Sequence, residues 1–379
     1  MNVEAVIDEI VPIALEHRMV TDTERRLAPA VVDAVVEHRL CRMPMSEEQG
    51  GWGLDLVEFL RVLEQLAEAE ASLPWLVWNN AQVCWSSRFL PPETSEALFS
   101  DPTALFAISA IPAGTAKATA DGYRVSGRWP LVSGCELAEW LVMNCRVSDP
   151  DGHGAPESDY VVLHRSDVEI IDTWHTGGMR GTGSHDVVVD GTSVDRSATL
   201  LWSEFPPPSA AAVDRIPISA SLAAGLAAQM IGVAGASLDA VTERARTVVT
   251  NGPVPDLRDR PRAQEAIGRH GAAVDAARSW LYDRCGLVWR RAEAGDTCTR
   301  EEVADVYGAA LHAMSVATDA VDAACATAGT SSIYTSSPLE RAHRDIHVMA
   351  RHRLAGVPFA EDVGRIRFGL EPTDPLFAL

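Results

Sequence analysis

A group of ionisable side chains near the C-terminus is equipped for proton transfer or metal binding. Asp345 and His352 are seven residues apart, so on a helix they share one face. His343 and His347 lie one helical turn apart, and such a pair can hold a metal ion. However, the segment contains no His-Glu-x-x-His pattern and shows no obvious third ligand. We therefore expect no metal site here.

A glycine-rich segment, Trp174-His-Thr-Gly-Gly-Met-Arg-Gly-Thr-Gly-Ser184, is a second candidate for binding chemistry. Glycine lets a backbone approach an anion closely, but a Rossmann dinucleotide site must lead from a strand into a helix. This segment leads into the apolar run Val187-Val-Val189, which has the pattern of a strand. A Rossmann site is therefore excluded. The segment is either a ligand-binding loop or a plain hairpin connection whose glycines adopt positive φ.

The elements that must position these groups change in type along the chain. Residues 1–103 carry apolar positions mostly at helical spacing, whereas 104–203 contain short apolar or alternating runs typical of a β-sandwich or small barrel. The prolines within Glu204-Phe-Pro-Pro-Pro-Ser209 exclude helix, and residues 209–379 show the long Ala-rich helical patterns of a bundle. We predict an α+β fold with three domains over the ranges 1–103, 104–203 and 209–379.

The end of one predicted strand provides a third candidate, Ser133, which lies six residues after Gly127. On local sequence alone it could be a plain strand-ending Ser-Gly turn. In context, the stretch resembles the Gly-x-x-x-(Trp)-(Ile/Val)-(Thr/Ser) signature of the acyl-CoA dehydrogenase superfamily, with Leu131 in the Trp place. The glycine-rich segment and Arg344-Asp345 match further motifs of that superfamily in the right order.

The resemblance covers nearly the whole chain and implies an acyl-CoA dehydrogenase-like fold. The expected parts are an N-terminal helical domain, a middle β domain that carries a flavin, and a C-terminal four-helix bundle. The resemblance also implies a homotetramer. It does not choose between FAD and FMN as the cofactor.

A flavin needs hydrogen-bond partners around its ring and backbone amides or arginine at its phosphates. By position, Val132 and Ser133 match the contact to the N5 side of the ring, and Ser133 counts among the expected catalytic residues. The resemblance places further flavin contacts at Trp129, Arg180, Thr182 and Ser184. A pair that would reach a neighbouring subunit's flavin falls at Arg246 and Gln264.

Acyl-CoA dehydrogenases use a glutamate to remove the α-proton of a thioester, and neither known position for it is acidic here. One position is Arg353, and the other falls in the first helix after the β domain. No Asp or Glu occurs between Arg215 and Leu238 in that helix. Without a carboxylate base, desaturation loses the group that pulls off a weakly acidic proton.

The arrangement of Arg344, Asp345 and His352 instead resembles the oxygen-using branch of the superfamily. That branch contains two-component monooxygenases of phenols and secosteroids, and dibenzothiophene monooxygenase. A separate reductase supplies reduced flavin, which adds O2 to form a C4a-hydroperoxide, and a small organic molecule is the substrate. His352 would then orient or deprotonate that substrate, since histidine titrates near neutral pH.

Two alternatives stay open at this point. The chain could desaturate an acyl thioester with an unrecognised base, or it could be a catalytically silent subunit that keeps the fold. The Ser-x-Gly-Trp segment of the phenol hydroxylases is replaced here by Ser72-Leu-Pro-Trp75, so the substrate is not fixed. Trp75 and two further tryptophans of this helix either line an apolar substrate cavity or belong to the core.

Composition narrows the partners and the compartment. The 379 residues include 53 acidic and 32 basic side chains, and the net charge of -21 argues against nucleic-acid and membrane binding. The seven cysteines are odd in number and lack Cys-x-x-Cys spacing, which fits reduced, buried thiols. The N-terminus lacks the basic and apolar regions of a signal peptide. We therefore expect a cytoplasmic protein.

Overall fold

The computed structural model describes residues 2–47, 50–86, 92–148, 157–200, 211–249, 255–374 and 377. The chain forms two compact units. The first, called the β unit below, comprises Met1–Leu54, Trp75–Thr176 and Arg180–Pro207. The second, called the helical unit, comprises Asp55–Pro74, Gly177–Met179 and Pro208–Leu379. The proline-rich boundary predicted at residues 204–209 lies outside the described residues.

The β unit combines helices from the N-terminal part of the chain with the strands. Its helices are α1 (Val3–Glu24), α2 (Pro29–Glu37), most of α4 (Ser72–Ser86) and α5 (Pro92–Phe99). Its strands are β1 (Phe106–Ala118), β2 (Gly122–Val132), β3 (Trp140–Ser148), β4 (Glu157–His164), β5 (Glu169–Ile171), β6 (His185–Asp195) and β7 (Thr199–Leu200).

Among the described residues these strands form one seven-stranded sheet in the order β5-β6-β2-β1-β3-β4-β7. The β1–β3 pair is parallel and the other pairs are antiparallel. Gly114 on β1 faces Gly127 on β2, and a Cβ at Gly114 would lie 2.0 Å from the Trp129 ring. The paired glycines therefore make room for this indole in the core of the sheet.

The helical unit contains the long helices. They are α3 (Leu56–Ala69), α6 (Ile218–Thr247), α7 (Pro261–Glu293), α8 (Arg300–Ala328), α9 (Pro338–Met349) and α10 (Val357–Arg367). Helix α6 packs against α3, α7, α8 and α9, which explains why it is apolar around most of its circumference. It is long and apolar enough to cross a membrane, but 78% of its most apolar window is buried inside the protein, as in the core helix of a bundle.

Local signals in the sequence account for several of the helix ends. Helices α3 and α8 each begin with a capping box, formed by Asp55 with Glu58 and by Thr299 with Glu302. Helices α2, α7 and α9 carry proline in the first turn, where a missing N–H costs nothing. The predicted α+β fold, with helices, then strands, then long helices, is confirmed.

The contact of α6 with α3 depends on a glycine. A Cβ at Gly232 would lie 2.2 Å from the backbone oxygen of Glu64 and 3.0 Å from the Cβ of Ala67. Neither atom belongs to a flexible side-chain end, so the two helices would have to separate. Gly235, one turn further along α6, has only the flexible end of Arg278 nearby, at 3.5 Å.

We predict that Gly232→Ala lowers the thermal unfolding temperature. Overpacking costs about 1–3 kcal/mol, which exceeds the gain of up to about 1 kcal/mol in helix propensity. The matched substitution Gly235→Ala should keep or raise the melting temperature because it gains propensity without a clash. Scanning calorimetry of the two variants and the unmodified chain measures both effects. Equal melting temperatures for the two variants would contradict the packing argument.

Candidate functional site

A cluster of three buried hydroxyl groups joins the end of β2 to the glycine-rich segment. We call Ser133, Thr182 and Ser184 the hydroxyl cluster. The Oγ atoms of Ser133 and Ser184 are 2.8 Å apart, and the Thr182 Oγ1 lies 2.7 Å from the Ser184 Oγ. The Gly134 amide donates to the Thr182 carbonyl at 2.8 Å. Two sequence motifs predicted to meet a flavin thus lie together in the β unit.

An indole from α4 completes the hydroxyl cluster. The Trp75 Nε1–H donates to the Ser133 Oγ at 3.0 Å. Because an indole N–H can only donate, Ser133 accepts at this contact and its own proton is directed elsewhere. The second partner of the Ser133 hydroxyl is the Ser184 Oγ, at 2.8 Å. The three hydroxyls and the indole therefore form one continuous hydrogen-bonded chain. The sequence signal for Trp75 was its place in the aromatic stripe of α4, which did not reveal this polar contact.

The backbone next to the hydroxyl cluster is strained. The pairing of β2 with β6 shifts register between Trp129 and Val132, which marks a bulge. Within it, Leu131 adopts a φ of 60°, and this residue is 58% exposed. A non-glycine residue in the left-handed region costs on the order of 1–2 kcal/mol, and such strain collects at ligand sites. The bulge therefore presents an apolar side chain to solvent directly beside Ser133.

Two predicted flavin contacts, Trp129 and Val132, are fully buried in the core of the sheet. The Trp129 Nε1–H donates to the Asn144 carbonyl at 2.6 Å. The structure therefore gives this indole a packing role in the β unit. Because both side chains are buried, either residue would have to contact a flavin through its backbone.

Arg180, also predicted at the flavin, anchors the glycine-rich segment to α1. Its Nε donates to the Asp22 carbonyl at 2.8 Å, and its Nη1 donates to the Thr176 carbonyl at 3.0 Å. Its guanidinium also lies 3.6 Å from the Asp22 carboxylate. Arg180 thus fixes the loop that carries Thr182 and Ser184, whatever else it contacts.

The remaining predicted site residues belong to the helical unit. Arg246 is exposed near the C-terminal end of α6, and Gln264 is exposed in the first turn of α7. The Gln264 Nε2 donates to the Arg258 carbonyl at 2.8 Å. Both side chains therefore lie at the surface of the single chain, where a second copy could meet them.

Asp345 is a buried carboxyl that organises the helical unit. It accepts a hydrogen bond of 2.5 Å from the Met179 amide, and Met179 has a φ of 50°. Burial and the neighbouring Glu70 raise the pKa of Asp345 well above its ordinary value, and Arg341 pairs with Glu70 at 3.1 Å. A Cβ at Gly178 would lie 2.2 Å from the backbone of α9. Only glycine fits at position 178 without moving this backbone.

His352 follows α9 in a half-buried position. Its Nδ1 accepts the Leu354 amide at 3.3 Å, so the side chain caps a short turn and the neutral ring carries its proton on Nε2. Burial, with Arg353 next to it, lowers the pKa of His352 to about 4. The imidazole is therefore neutral across the physiological pH range.

The position of the dehydrogenase glutamate is filled by a cation that is already paired. Arg353 forms an ion pair with Asp374, and its guanidinium lies over the Phe359 ring at 5.3 Å from the centroid. A guanidinium stays protonated at any working pH and cannot act as a base. The local chemistry here is opposite to that of a carboxylate base.

The two histidines of α9 meet a carboxylate that sequence reasoning missed. The Asp322 Oδ1 on α8 lies 2.9 Å from the His347 Nε2 and 3.4 Å from the His343 Nε2. Asp322 lies on a different helix from the two histidines. Its place in the sequence therefore gives no sign that it contacts them. The sequence showed no third ligand beside the two histidines, and the structure places the Asp322 carboxylate there.

Comparison with known proteins gives the same family for the N-terminal and the C-terminal part of the chain. Residues 2–90 match the family "Acyl-CoA dehydrogenase, N-terminal domain" and residues 224–356 match "Acyl-CoA dehydrogenase, C-terminal domain", together more than half of the chain. Along the chain, helices precede the strands and long helices follow them. The chain belongs to the acyl-CoA dehydrogenase superfamily.

The similar proteins include a named monooxygenase, the oxygenase component of a hydroxylase and a protein described with FADH2. Indole-3-acetate monooxygenase of Acinetobacter baumannii is 27% identical over 93% of this chain and 90% of its own length. The oxygenase component of the FADH2-dependent resorcinol hydroxylase of a Rhizobium species is 27% identical, over 85% of this chain and 83% of its own. The structure of XiaF from a Streptomyces species, in complex with FADH2 and glycerol, superimposes with a TM-score of 0.92 at 27% identity, covering 98% of this chain and 96% of that one.

We predict that Asp345→Asn changes how stability depends on pH. The raised pKa means that the stability contributed by the protonated carboxyl is present in acid and is lost as pH rises through the raised value. Asparagine keeps an Oδ1 acceptor for the Met179 amide and never ionises. Thermal melts between about pH 5 and pH 9 should show the unmodified chain losing stability relative to the variant.

Asp362→Asn is the control, because the pKa of Asp362 is shifted in the opposite direction from that of Asp345. Asp362 is buried, which raises its pKa, but hydrogen bonds from the Thr373 and Asp374 amides outweigh this and lower the pKa below the ordinary value. Its charge is therefore constant over the same pH range, and this variant should be destabilised by a constant amount. Parallel curves for the unmodified chain and Asp345→Asn would show that Asp345 does not hold a proton.

Proposed function

We propose that the chain is the oxygenase component of a two-component flavin-dependent monooxygenase. It would take reduced flavin from a separate reductase and transfer one oxygen atom of O2 to a small aromatic molecule. The observation that carries the proposal is the hydroxyl cluster at the strained, exposed end of β2. Two relatives are named for indole-3-acetate and for resorcinol, and these names support an aromatic substrate.

The residues at the end of β2 fit an isoalloxazine ring. That ring is a flat plate with apolar faces and a polar edge, so it needs an apolar contact beside hydrogen-bonding groups. Leu131 offers an exposed apolar side chain, and Ser133 offers a hydroxyl held in place by Trp75 and Ser184. We propose that Ser133 and the backbone of Val132 hold the N5 side, with Thr182 and Ser184 behind them. Two relatives described with FADH2 favour FAD over FMN.

When bound, reduced flavin supplies the electrons that activate O2, and the protein must then position the substrate and keep water away. We propose that His352 interacts with the substrate. Its neutral ring, with the proton on Nε2, suits a hydrogen bond to a substrate oxygen or nitrogen. A pKa of about 4 makes it a weak base, so any deprotonation of the substrate would depend on a change in its environment upon binding.

The acyl-CoA dehydrogenase alternative gains no support from the helical unit. Arg353, in the place of the base, is paired with Asp374, and the other position lies in the segment of α6 that has no acidic residue. Removal of an α-proton would need a group with affinity for that proton. A guanidinium has none.

We propose that the chain works as a cytoplasmic homotetramer. Exposed apolar side chains of the helical unit favour association of copies: Val249, Trp280, Ile333, Tyr334 and Phe368. In such an assembly Arg246 and Gln264 would reach a neighbouring subunit's flavin. The domain ranges 1–103, 104–203 and 209–379 are part of the same proposal.

The function is tested by isotope labelling. The purified chain is mixed with a flavin reductase, NADH, FAD or FMN, and either indole-3-acetate or resorcinol under 18O2. We expect a product two mass units heavier than the product formed under 16O2, and no product when this chain is omitted. Flavin reoxidation without a labelled product from either substrate would argue against the proposed aromatic substrate. Oxidation of acyl-CoAs with bleaching of bound flavin would establish dehydrogenase chemistry instead.

A pair of His352 variants separates its structural and catalytic roles. His352→Asn places an amide oxygen where Nδ1 caps the Leu354 amide, and asparagine is a good capping residue, but it lacks the Nε2 group. We expect this variant to keep the melting temperature and lose at least about tenfold in turnover, which is about 1.4 kcal/mol of transition-state stabilisation. His352→Ala should lose both the cap and the turnover.

The two measurements are product formation under saturating reduced flavin and the melting temperature. Unchanged turnover in His352→Asn would remove the histidine from the chemistry and leave it as a helix-end cap. Because the pKa of His352 is about 4, no ionisation of this residue should appear in the turnover profile between about pH 6 and pH 8.

A further inference from the structure

Three side chains of the helical unit outside the proposed flavin chemistry form a compact donor set. We call Asp322 on α8 with His343 and His347 on α9 the α8–α9 cluster. Their ligand atoms all lie within 4.8 Å of one another. All three side chains are partly open to solvent, with exposures of 46% for Asp322, 49% for His343 and 40% for His347.

The spacing of the donor atoms matches the coordination shell of one ion. Nitrogen and oxygen ligands lie about 2.0–2.2 Å from Zn²⁺, so neighbouring ligands around one ion are about 3–3.5 Å apart. The Asp322 Oδ1 lies 2.9 Å from the His347 Nε2 and 3.4 Å from the His343 Nε2. The two imidazole rings stand edge to face, with centroids 4.6 Å apart. Both Nε2 atoms thus converge on the same carboxylate oxygen.

The α8–α9 cluster also has the right chemistry and access. Two imidazoles with one carboxylate suit borderline divalent ions such as Zn²⁺, Co²⁺ and Ni²⁺, whereas Mg²⁺ and Ca²⁺ prefer oxygen. Cys325 is one turn from Asp322, but its Sγ contacts the Leu339 carbonyl at 3.6 Å and does not belong to the group of converging ligand atoms. The donor set therefore contains nitrogen and oxygen only.

We propose that Asp322, His343 and His347 form a binding site for a divalent transition-metal ion of the zinc type. The three protein ligands leave the solvent side of the ion to water. The ion would join α8 to the exposed face of α9, while the opposite face of α9 holds the buried Asp345. Binding therefore stabilises the helical unit, and the proposal does not depend on the flavin chemistry.

Zinc titration of the metal-free full-length chain tests the site. We expect one Zn²⁺ per chain by equilibrium dialysis, and a melting temperature that rises with Zn²⁺ concentration, because an ion that binds only the folded state stabilises it. His343→Ala, His347→Ala and Asp322→Asn should each weaken binding at least about tenfold. His270→Ala, which removes a half-buried histidine of α7 in the same unit, should bind like the unmodified chain.

Co²⁺ identifies the ligands independently. Visible absorption bands without sulfur-to-metal charge transfer would support the nitrogen and oxygen donor set, whereas charge-transfer bands would place the ion at a cysteine and overturn the proposal. The proposal also fails if no stoichiometric Zn²⁺ binds, or if the three cluster variants bind Zn²⁺ as the unmodified chain does. Melting temperatures without metal show whether each variant is folded. His343→Ala alters an exposed side chain, so it provides a folded test if Asp322→Asn does not fold.

Discussion

The buried carboxyl of Asp345 is the constraint on which the arrangement of the helical unit depends. A carboxyl can leave water only if its oxygens find partners, and here the Met179 amide provides one at 2.5 Å. That hydrogen bond holds Met179 in a left-handed conformation, and Met179 immediately precedes Arg180 in the chain. The same residue fixes α9 against the Gly177–Met179 segment. The positions of His352 and of the α8–α9 cluster follow, because both depend on where α9 lies.

A second constraint acts within the β unit, where strain and hydrogen bonding oppose each other. The left-handed backbone at Leu131 is unfavourable on its own and persists only because its surroundings determine it. Two residues further along the chain, the Ser133 side chain is held by its contacts with Trp75 and Ser184. A chain of polarised hydroxyl groups is rigid, so the bulge can present an apolar side chain without collapsing. Under the proposed function, this rigidity prepares the flavin contact before the flavin binds.

The fold was predictable from sequence because it depends on periodicity, which is local. The long Ala-rich helical patterns predicted in residues 209–379 correspond to α6, α7 and α8. Ser133, Thr182 and Ser184 could be singled out because they belong to sequence motifs. The contact of Trp75 with Ser133 and those of Asp322 with the histidines of α9 could not be predicted, because each joins residues on different elements of the fold. The lowered pKa of His352 could not be predicted from the sequence either, because it results mainly from burial.

The end of α9 shows how one fold can exchange one chemistry for another. Removing a proton from carbon requires a strong, well-placed base, whereas an electron-rich aromatic ring supplies its own electrons when it is oxygenated. Such a ring needs orientation, and a neutral imidazole whose Nδ1 is fixed by the Leu354 amide can provide it through Nε2. Arg353, turned away to Asp374, removes the alternative base. Under the proposed function, both features favour the same chemistry, in which the substrate is oriented and no strong base is needed.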